Sequence, residues 1–393
     1  MKPVLYIYCQ HSVGMGHFVR SLALARVLAE WFEIHFLNGG RSPPGLVLPG
    51  AIHFHHLSPL GMDKESQLTS LDPAVTVEQA RELRLADIRE LLAQRPPHLV
   101  LTELYPFGRK KFVFELDPLI KGARGHGAAI VCSVRDLLVS DRPDQQRHDD
   151  RTALKLDAEF DAVMVHADPR FARLEESFKP AVRPRTRIHY SGFVVPHATR
   201  HQAVTRESRV LVSAGGGLVG GALFRAALEY HRAHFVQTGK PMTIVAGPFL
   251  PESEWSALQA SGAGVAGLTL HRSVPDLCAL MWASTHSISQ CGYNTAIDIL
   301  VSGVAALVVP YVTEKENEQT VRAARLAAMG RIGVLQECDL SAQTLAAALE
   351  RVPLGGALAQ DLALDGARES ARILDDLLVG RRRSGVRSRG SRA

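Results

Sequence analysis

Ser289-Gln-Cys-Gly-Tyr-Asn-Thr295-Ala-Ile-Asp298, followed by Ala306-Leu-Val-Val-Pro310 and then Glu314-Lys-Glu-Asn-Glu-Gln319, is the stretch on which the reading of the fold turns. It reads as a strand end, a glycine turn and a short helix, then a second buried strand, a loop and another helix. Two successive loops would then open onto one edge of a sheet, each leading into a helix N-terminus with polar side chains. In an open α/β sheet, ligands bind outside the carboxyl ends of the strands. A helix N-terminus offers unpaired N–H groups and partial positive charge, which suit a phosphate. Asp298 and the Glu318-Gln319 pair are of the right type to bond sugar hydroxyls.

The same plan runs outward in both directions. In the first half, β-rich runs at Val4–Cys9, 33–37, 98–102, 128–133 and 162–166 alternate with helical patterns at 19–31 and 78–93. In the second half, runs at 209–213, 242–246, 268–271, 287–289 and 306–309 do the same. Strands alternating with helices predict parallel, doubly wound sheets. At 393 residues the chain has room for two such domains. The expected boundaries are a first domain at 1–195, a polar linker at 196–208, a second domain at 209–379 and a basic disordered tail at 380–393.

Each predicted domain opens with glycines between its first strand and first helix. Gly14-Met-Gly16-His17-Phe-Val-Arg20 opens the first domain. The third glycine of a dinucleotide fingerprint is replaced by Val19, and the second strand ends in Asn38-Gly39 without an acidic residue, which argues against NAD. Gly215-Gly216-Gly217-Leu-Val-Gly220-Gly221 opens the second. Its N–H groups could all point at an anion, and no Lys-Ser/Thr follows to make a Walker loop. Arg272-Ser-Val274-Pro-Asp276 also joins a strand to a helix. Glu103 and Arg135 follow predicted strands of the first domain, at the edge where an acceptor or catalytic partner would lie.

The C-terminal pattern resembles the donor half of MurG-type nucleotide-sugar glycosyltransferases, and the string GMGHFVRSLALARVLAE (14–30) resembles the N-terminal motif of MurG-like groups and of PseG-type nucleotide-sugar hydrolases. The resemblance implies the GT-B class of α/β fold, with two Rossmann-like doubly wound domains facing across a cleft. It implies a nucleotide diphosphate sugar, uridine-linked, as donor. Val274, next to Arg272, would meet the uracil, and Asp298 would hold the ribose. Gly215, Gly216, Gly217, Gly292, Asn294 and Thr295 would line the diphosphate. Glu318 and Gln319 would reach the donor sugar, with Glu318 standing where the family has glutamine. His17 would be the base, or in the hydrolase group the residue activating water, with Gly14, Gly16, Arg20, Glu103 and Arg135 around an acceptor of unknown identity. No cofactor or metal is expected, because glycine loops and helix dipoles would stabilise the leaving diphosphate. Rival readings are the nucleotide-sugar hydrolase and a non-catalytic sugar-nucleotide-binding protein.

Composition bounds the rest. The six arginines within the last thirteen residues exceed the whole formal charge of +5, so the body is near neutral and no nucleic-acid partner is expected. The tail reads as a solvated end, with weak peripheral contact to acidic phospholipids as the alternative. Five scattered cysteines without a Cys-x-x-Cys pair fit a reducing cytoplasm. His53, His55 and His56 alternate along a strand edge, but no acidic or cysteine partner lies nearby in sequence, so no metal site is expected.

Overall fold

A computed structural model describes residues 1–11, 15–42, 48–63, 65, 67–139, 142–195, 205–312, 317–353 and 361–390, with the backbone alone over 382–390. The chain forms two compact units, Met1–Pro196 with Ala363–Ala393, and His197–Leu362.

The first unit is built on β1 (Val4–Cys9), β2 (Glu33–Asn38), β3 (Ile52–His56), β6 (Leu99–Glu103), β7 (Ala129–Arg135), β8 (Ala162–His166) and β9 (Arg187–Tyr190), with a small hairpin of β4 (Leu60–Met62) and β5 (Leu68–Ser70). The seven strands run parallel in the order β3-β2-β1-β6-β7-β8-β9. The helices are α1 (Gly16–Leu28), α2 (Val77–Gln94), α3 (Val113–Gly125), α4 (Gln145–Glu159) and the short α5 (Leu174–Ser177). β1, β6 and β8 are buried along their whole length, as the continuous apolar runs of a parallel sheet require. α2 starts at a capping box: the Gln79 N–H donates to Thr76 Oγ1 at 3.2 Å, and the Thr76 N–H donates to Gln79 Oε1 at 2.9 Å.

The second unit repeats the plan with β10 (Glu207–Ser213), β11 (Met242–Val245), β12 (Leu268–His271), β13 (Ser284–Ser289), β14 (Ala305–Val308) and β15 (Gly333–Val334), parallel in the order β12-β11-β10-β13-β14-β15. Its helices are α6 (Gly221–Thr238), α7 (Glu252–Gly262), α8 (Leu277–Trp282), α9 (Tyr293–Ser302), α10 (Glu318–Ala328) and α11 (Ala342–Glu350). Val210, Val212, Phe224, Ile244, Ile288, Leu307 and Leu345 belong to one buried core between sheet and helices.

The last helix, α12 (Gly366–Gly390), overturns the expected boundary at 379. Ala367, Ala371, Leu374 and Leu378 are buried at helical spacing, and the helix packs against α1 of the first unit. An apolar stripe must find a face, and α1 supplies it. The junction is a close backbone approach. Phe193 N–H donates to Ala363 O at 2.7 Å, and Ala363 N–H donates to Asp168 Oδ2 at 2.9 Å. Gly192 has φ +83°, and a Cβ there would sit 2.7 Å from Ala363 O. The basic tail expected to be disordered continues α12 as far as Gly390, and Arg381 pairs with Asp161 at 2.6 Å.

Candidate functional site

Both sheets reverse their strand order once, between β1 and β6 and between β10 and β13. The carboxyl ends of those strands are the switch points where open α/β sheets bind ligands.

At the first switch point, Glu103 ends β6 and lies beside the start of α1. It is 1% exposed, and its Oε1 takes both the Arg20 guanidinium and His17 Nδ1, the latter at 2.8 Å. Ser133 Oγ donates to Glu103 Oε2 at 3.0 Å and lies 2.9 Å from His166 Nε2, while His166 Nδ1 lies 2.9 Å from Ser191 Oγ. A consistent proton assignment runs from Ser191 through His166 and Ser133 to the carboxylate. Burial raises the Glu103 pKa, but Arg20 and His17 outweigh it and hold the group well below the usual carboxylate range. Burial, helped by the Arg109 charge, lowers His17 to about 3 against the opposing pull of Glu103. The imidazole is therefore neutral at pH 7. With Nδ1–H donated to Glu103, the lone pair is on Nε2, and the side chain keeps 14% exposure.

Of the residues expected here, the structure brings together His17, Arg20 and Glu103. Gly16 is the exposed first residue of α1, and Gly14 lies outside the described residues. Arg135 ends β7 and lines a cavity of about 30 Å³ with Leu104, Phe107 and His148, room for about one water. The sequence reading missed Arg109, Ser133 and His166. Arg109 follows β6 in the left-handed region at φ 61°, and its buried Nε and Nη2 have no hydrogen-bond partner. Polar residues at the carboxyl ends of apolar strands, Ser133 in β7 and His166 in β8, were the available signal.

At the second switch point, Gly215 (φ +55°) and Gly217 (φ +88°) follow β10. A Cβ on Gly217 would lie 2.2 Å from Ala246 O, so only glycine fits. The expectation that every N–H of this loop could face an anion fails: Gly217 N–H donates to Ala214 O, and Gly220 N–H to Gly217 O. Gly216 contributes its carbonyl to Phe249 N–H at 2.9 Å. A Cβ on Gly215 would be 3.7 Å from Thr295 Oγ1, which puts this loop beside the start of α9. There Gly292 is the N-cap, open space lies where its Cβ would be, Asn294 is half-buried and Thr295 is buried.

Asp298 lies one turn into α9, 7% exposed, with a buried Oδ1 that has no hydrogen-bond partner. Burial and the nearby Asp276 raise its pKa to about 8, against a hydrogen bond from Cys278. An orphaned buried carboxyl oxygen is expensive unless something bonds it. Val274 is half-buried, but Arg272 is turned to scaffolding: it donates to Leu250 O at 2.6 Å, pairs with Glu252 at 3.1 Å and lies over the Trp255 ring. Glu318 is the first residue of α10. Gln319 uses its side-chain oxygen as a clamp, accepting from Cys291 N–H at 3.0 Å and Tyr311 N–H at 3.2 Å.

Comparison with known proteins fits this geometry. Residues 274–363 match the glycosyltransferase family 28 C-terminal domain, a span that includes Val274, Gly292, Asn294, Thr295, Asp298, Glu318 and Gln319. A 194-residue stretch, 48% of this chain, is 27% identical to half of the UDP-N-acetylglucosamine--N-acetylmuramyl-(pentapeptide) pyrophosphoryl-undecaprenol N-acetylglucosamine transferase of Brucella abortus (strain S19). The chain thus spans about half the length of the curated relatives it matches. MurG of Acinetobacter baumannii superposes with a TM-score of 0.57 at 15% identity, over 95% of this chain and 100% of that one. The glycotransferase of kitacinnamycin superposes with a TM-score of 0.60 at 15% identity, over 96% and 100%. The fold is therefore GT-B, with two Rossmann-like units, and the sequence is MurG-like. Among the described residues no helix is long and apolar enough to cross a membrane.

Proposed function

We propose that the chain is a glycosyltransferase that moves a sugar from a UDP-linked donor to a hydroxyl or amine acceptor, with the donor held by the second unit and the base supplied by the first. The observation that carries this reading is the orphaned Asp298 carboxyl within the family 28 segment, since a ribose with two vicinal hydroxyls satisfies it. The donor diphosphate faces the N-terminus of α9 at Gly292–Thr295 and the Gly215–Gly217 turn. His17 Nε2 takes the acceptor proton as the acceptor atom bonds to the anomeric carbon. The bond from that carbon to the diphosphate breaks, and the nucleoside diphosphate leaves with the electron pair. Glu103 holds the imidazole in the tautomer with its lone pair on Nε2 and balances the charge it acquires.

Mass-resolved UDP-sugars incubated with and without hydroxyl or amine acceptors test the reading. Acceptor-dependent release of UDP with a glycosylated product supports it. Stoichiometric free sugar without acceptor makes the protein a hydrolase instead. Thermal stabilisation by UDP without turnover makes it a binding protein, and failure to bind UDP or any UDP-sugar overturns the proposal.

A further inference from the structure

The histidines of β2 and β3 take no part in the proposed transfer. The two strands pair in parallel with His35 opposite His53 and Leu37 opposite His55. Strand alternation therefore puts these three imidazoles and Glu33 on one face. His35 is buried and stacks on both neighbours, with ring centroids 4.8 Å from His53 and 5.2 Å from His55. Its Nε2 lies 3.2 Å from Glu33 Oε1, and its Nδ1 lies 2.9 Å from His55 Nε2. One ligand atom each from Glu33, His35 and His53 falls within 4.8 Å of the others. The acidic partner that sequence proximity failed to supply is brought in by strand pairing. We propose that Glu33, His35 and His53 form a binding site for a divalent transition metal, suited to zinc.

Two imidazoles and one carboxylate match a zinc site with three protein ligands, and the exposed His53 leaves room for water at a fourth position. Imidazole donors select zinc, copper or nickel over magnesium and calcium, which prefer oxygen. With a metal on His35 Nε2, the Nδ1–H donates to His55 Nε2, the outer hydrogen bond that fixes a coordinating histidine. Without one, the proton on Nε2 faces Glu33 and His55 donates to Nδ1, so the metal takes a proton's place. Arg95 competes by forking onto Glu33. Its side chain is 43% exposed, however, and an exposed ion pair is weak beside metal coordination. A bound metal would tie β3, the edge strand, to β2.

The full chain, stripped of metal, is titrated with zinc by calorimetry and with cobalt(II) by visible absorption. One zinc per chain is expected, with stabilisation in a melt. His53→Ala, at an exposed position, should weaken zinc binding at least about 10-fold while the melt of the metal-free protein stays unchanged. His56→Ala, on the other face of β3, should leave affinity as it is, and Arg95→Ala should tighten it. Absence of zinc binding by the wild type overturns the site, as does equal loss in His53→Ala and His56→Ala, or magnesium binding as well as zinc.

Discussion

The switch point of the first sheet holds a buried carboxylate that is already paired, and that of the second a buried carboxyl with an orphaned oxygen. Glu103 is surrounded by Arg20, His17 and Ser133. Asp298 sits in a comparable burial with an orphaned oxygen. A buried carboxylate held by cations becomes a fixed negative charge that orients and balances a neighbouring imidazole. A buried carboxyl with one oxygen unbonded has its pKa raised and can still accept from donors. Under the proposed function, the same strand order serves proton transfer at one sheet edge and the binding of hydroxyls at the other.

The contrast is most exposed to failure at His17. His17→Ala should lower kcat by about two to four orders of magnitude and leave UDP affinity, measured by calorimetry, nearly unchanged. Lost UDP binding in this variant would place the nucleotide in the first unit and invert the comparison. Glu103→Gln should show how much of the first site is structural. It leaves Arg20, 1% exposed, without its anionic partner, a loss of about 3–5 kcal/mol that a chemical melt reads directly. An unchanged melt would mean that the Arg20 pair is not what holds this edge.

Leu374→Ala tests where the last helix belongs. A fully buried leucine truncated to alanine costs about 2–5 kcal/mol, and hydrogen exchange should locate the loosening in α1 and β1 rather than in the second unit. Asp298→Ala should weaken donor binding by about 1.5–3 kcal/mol, on the order of ten- to a hundredfold, with little change in kcat at saturating donor. If its UDP affinity equals the wild type's, the ribose is held elsewhere.

The gentlest test is pH, and here the two units should move in opposite senses. His17 has a folded pKa of about 3 against 6.5 when free, so the unfolded chain binds the extra proton and stability falls as pH drops from 6.5 toward 3. Asp298 has a folded pKa of about 8 against 3.8, so the native state keeps the proton and stability falls as pH rises from about 4 to 8. Asp298→Asn removes only the second dependence. Its advantage in melting temperature over the wild type should grow between pH 5 and 8, by roughly 2–4 °C for each 1 kcal/mol recovered. A constant difference across that range would show that Asp298 is ionised in the native protein.

Much of this arrangement was written locally. The runs at Val4–Cys9 and 268–271 became β1 and β12 as read, Gly16 opens α1, and the glycine string before α6 sits where strand gives way to helix. His17 and Asp298 stood out because each follows such a turn. Where the signal was local but ambiguous, the reading slipped. The 287–289 run is the end of a six-residue strand whose first half, Ser284-Thr285-His286, is polar and carried no apolar pattern. Arg272, read as a ligand residue from its loop, sends its guanidinium to the Leu250 carbonyl and the Glu252 carboxylate.

By itself, then, the sequence determined the alternation of strands and helices, the repeat of one plan in two halves and the turns that open each sheet edge, because these depend on neighbours within a few residues. Only the tertiary structure decided that Glu103 would lie under His17 and Arg20, 86 and 83 residues away in the chain. It likewise decided that Glu33 would meet His53, and that α12 would return to the first unit. Those meetings follow from which strands pair and which apolar stripe covers which face. Pairing order is set by burial summed over the whole unit, a quantity that no local run of residues contains.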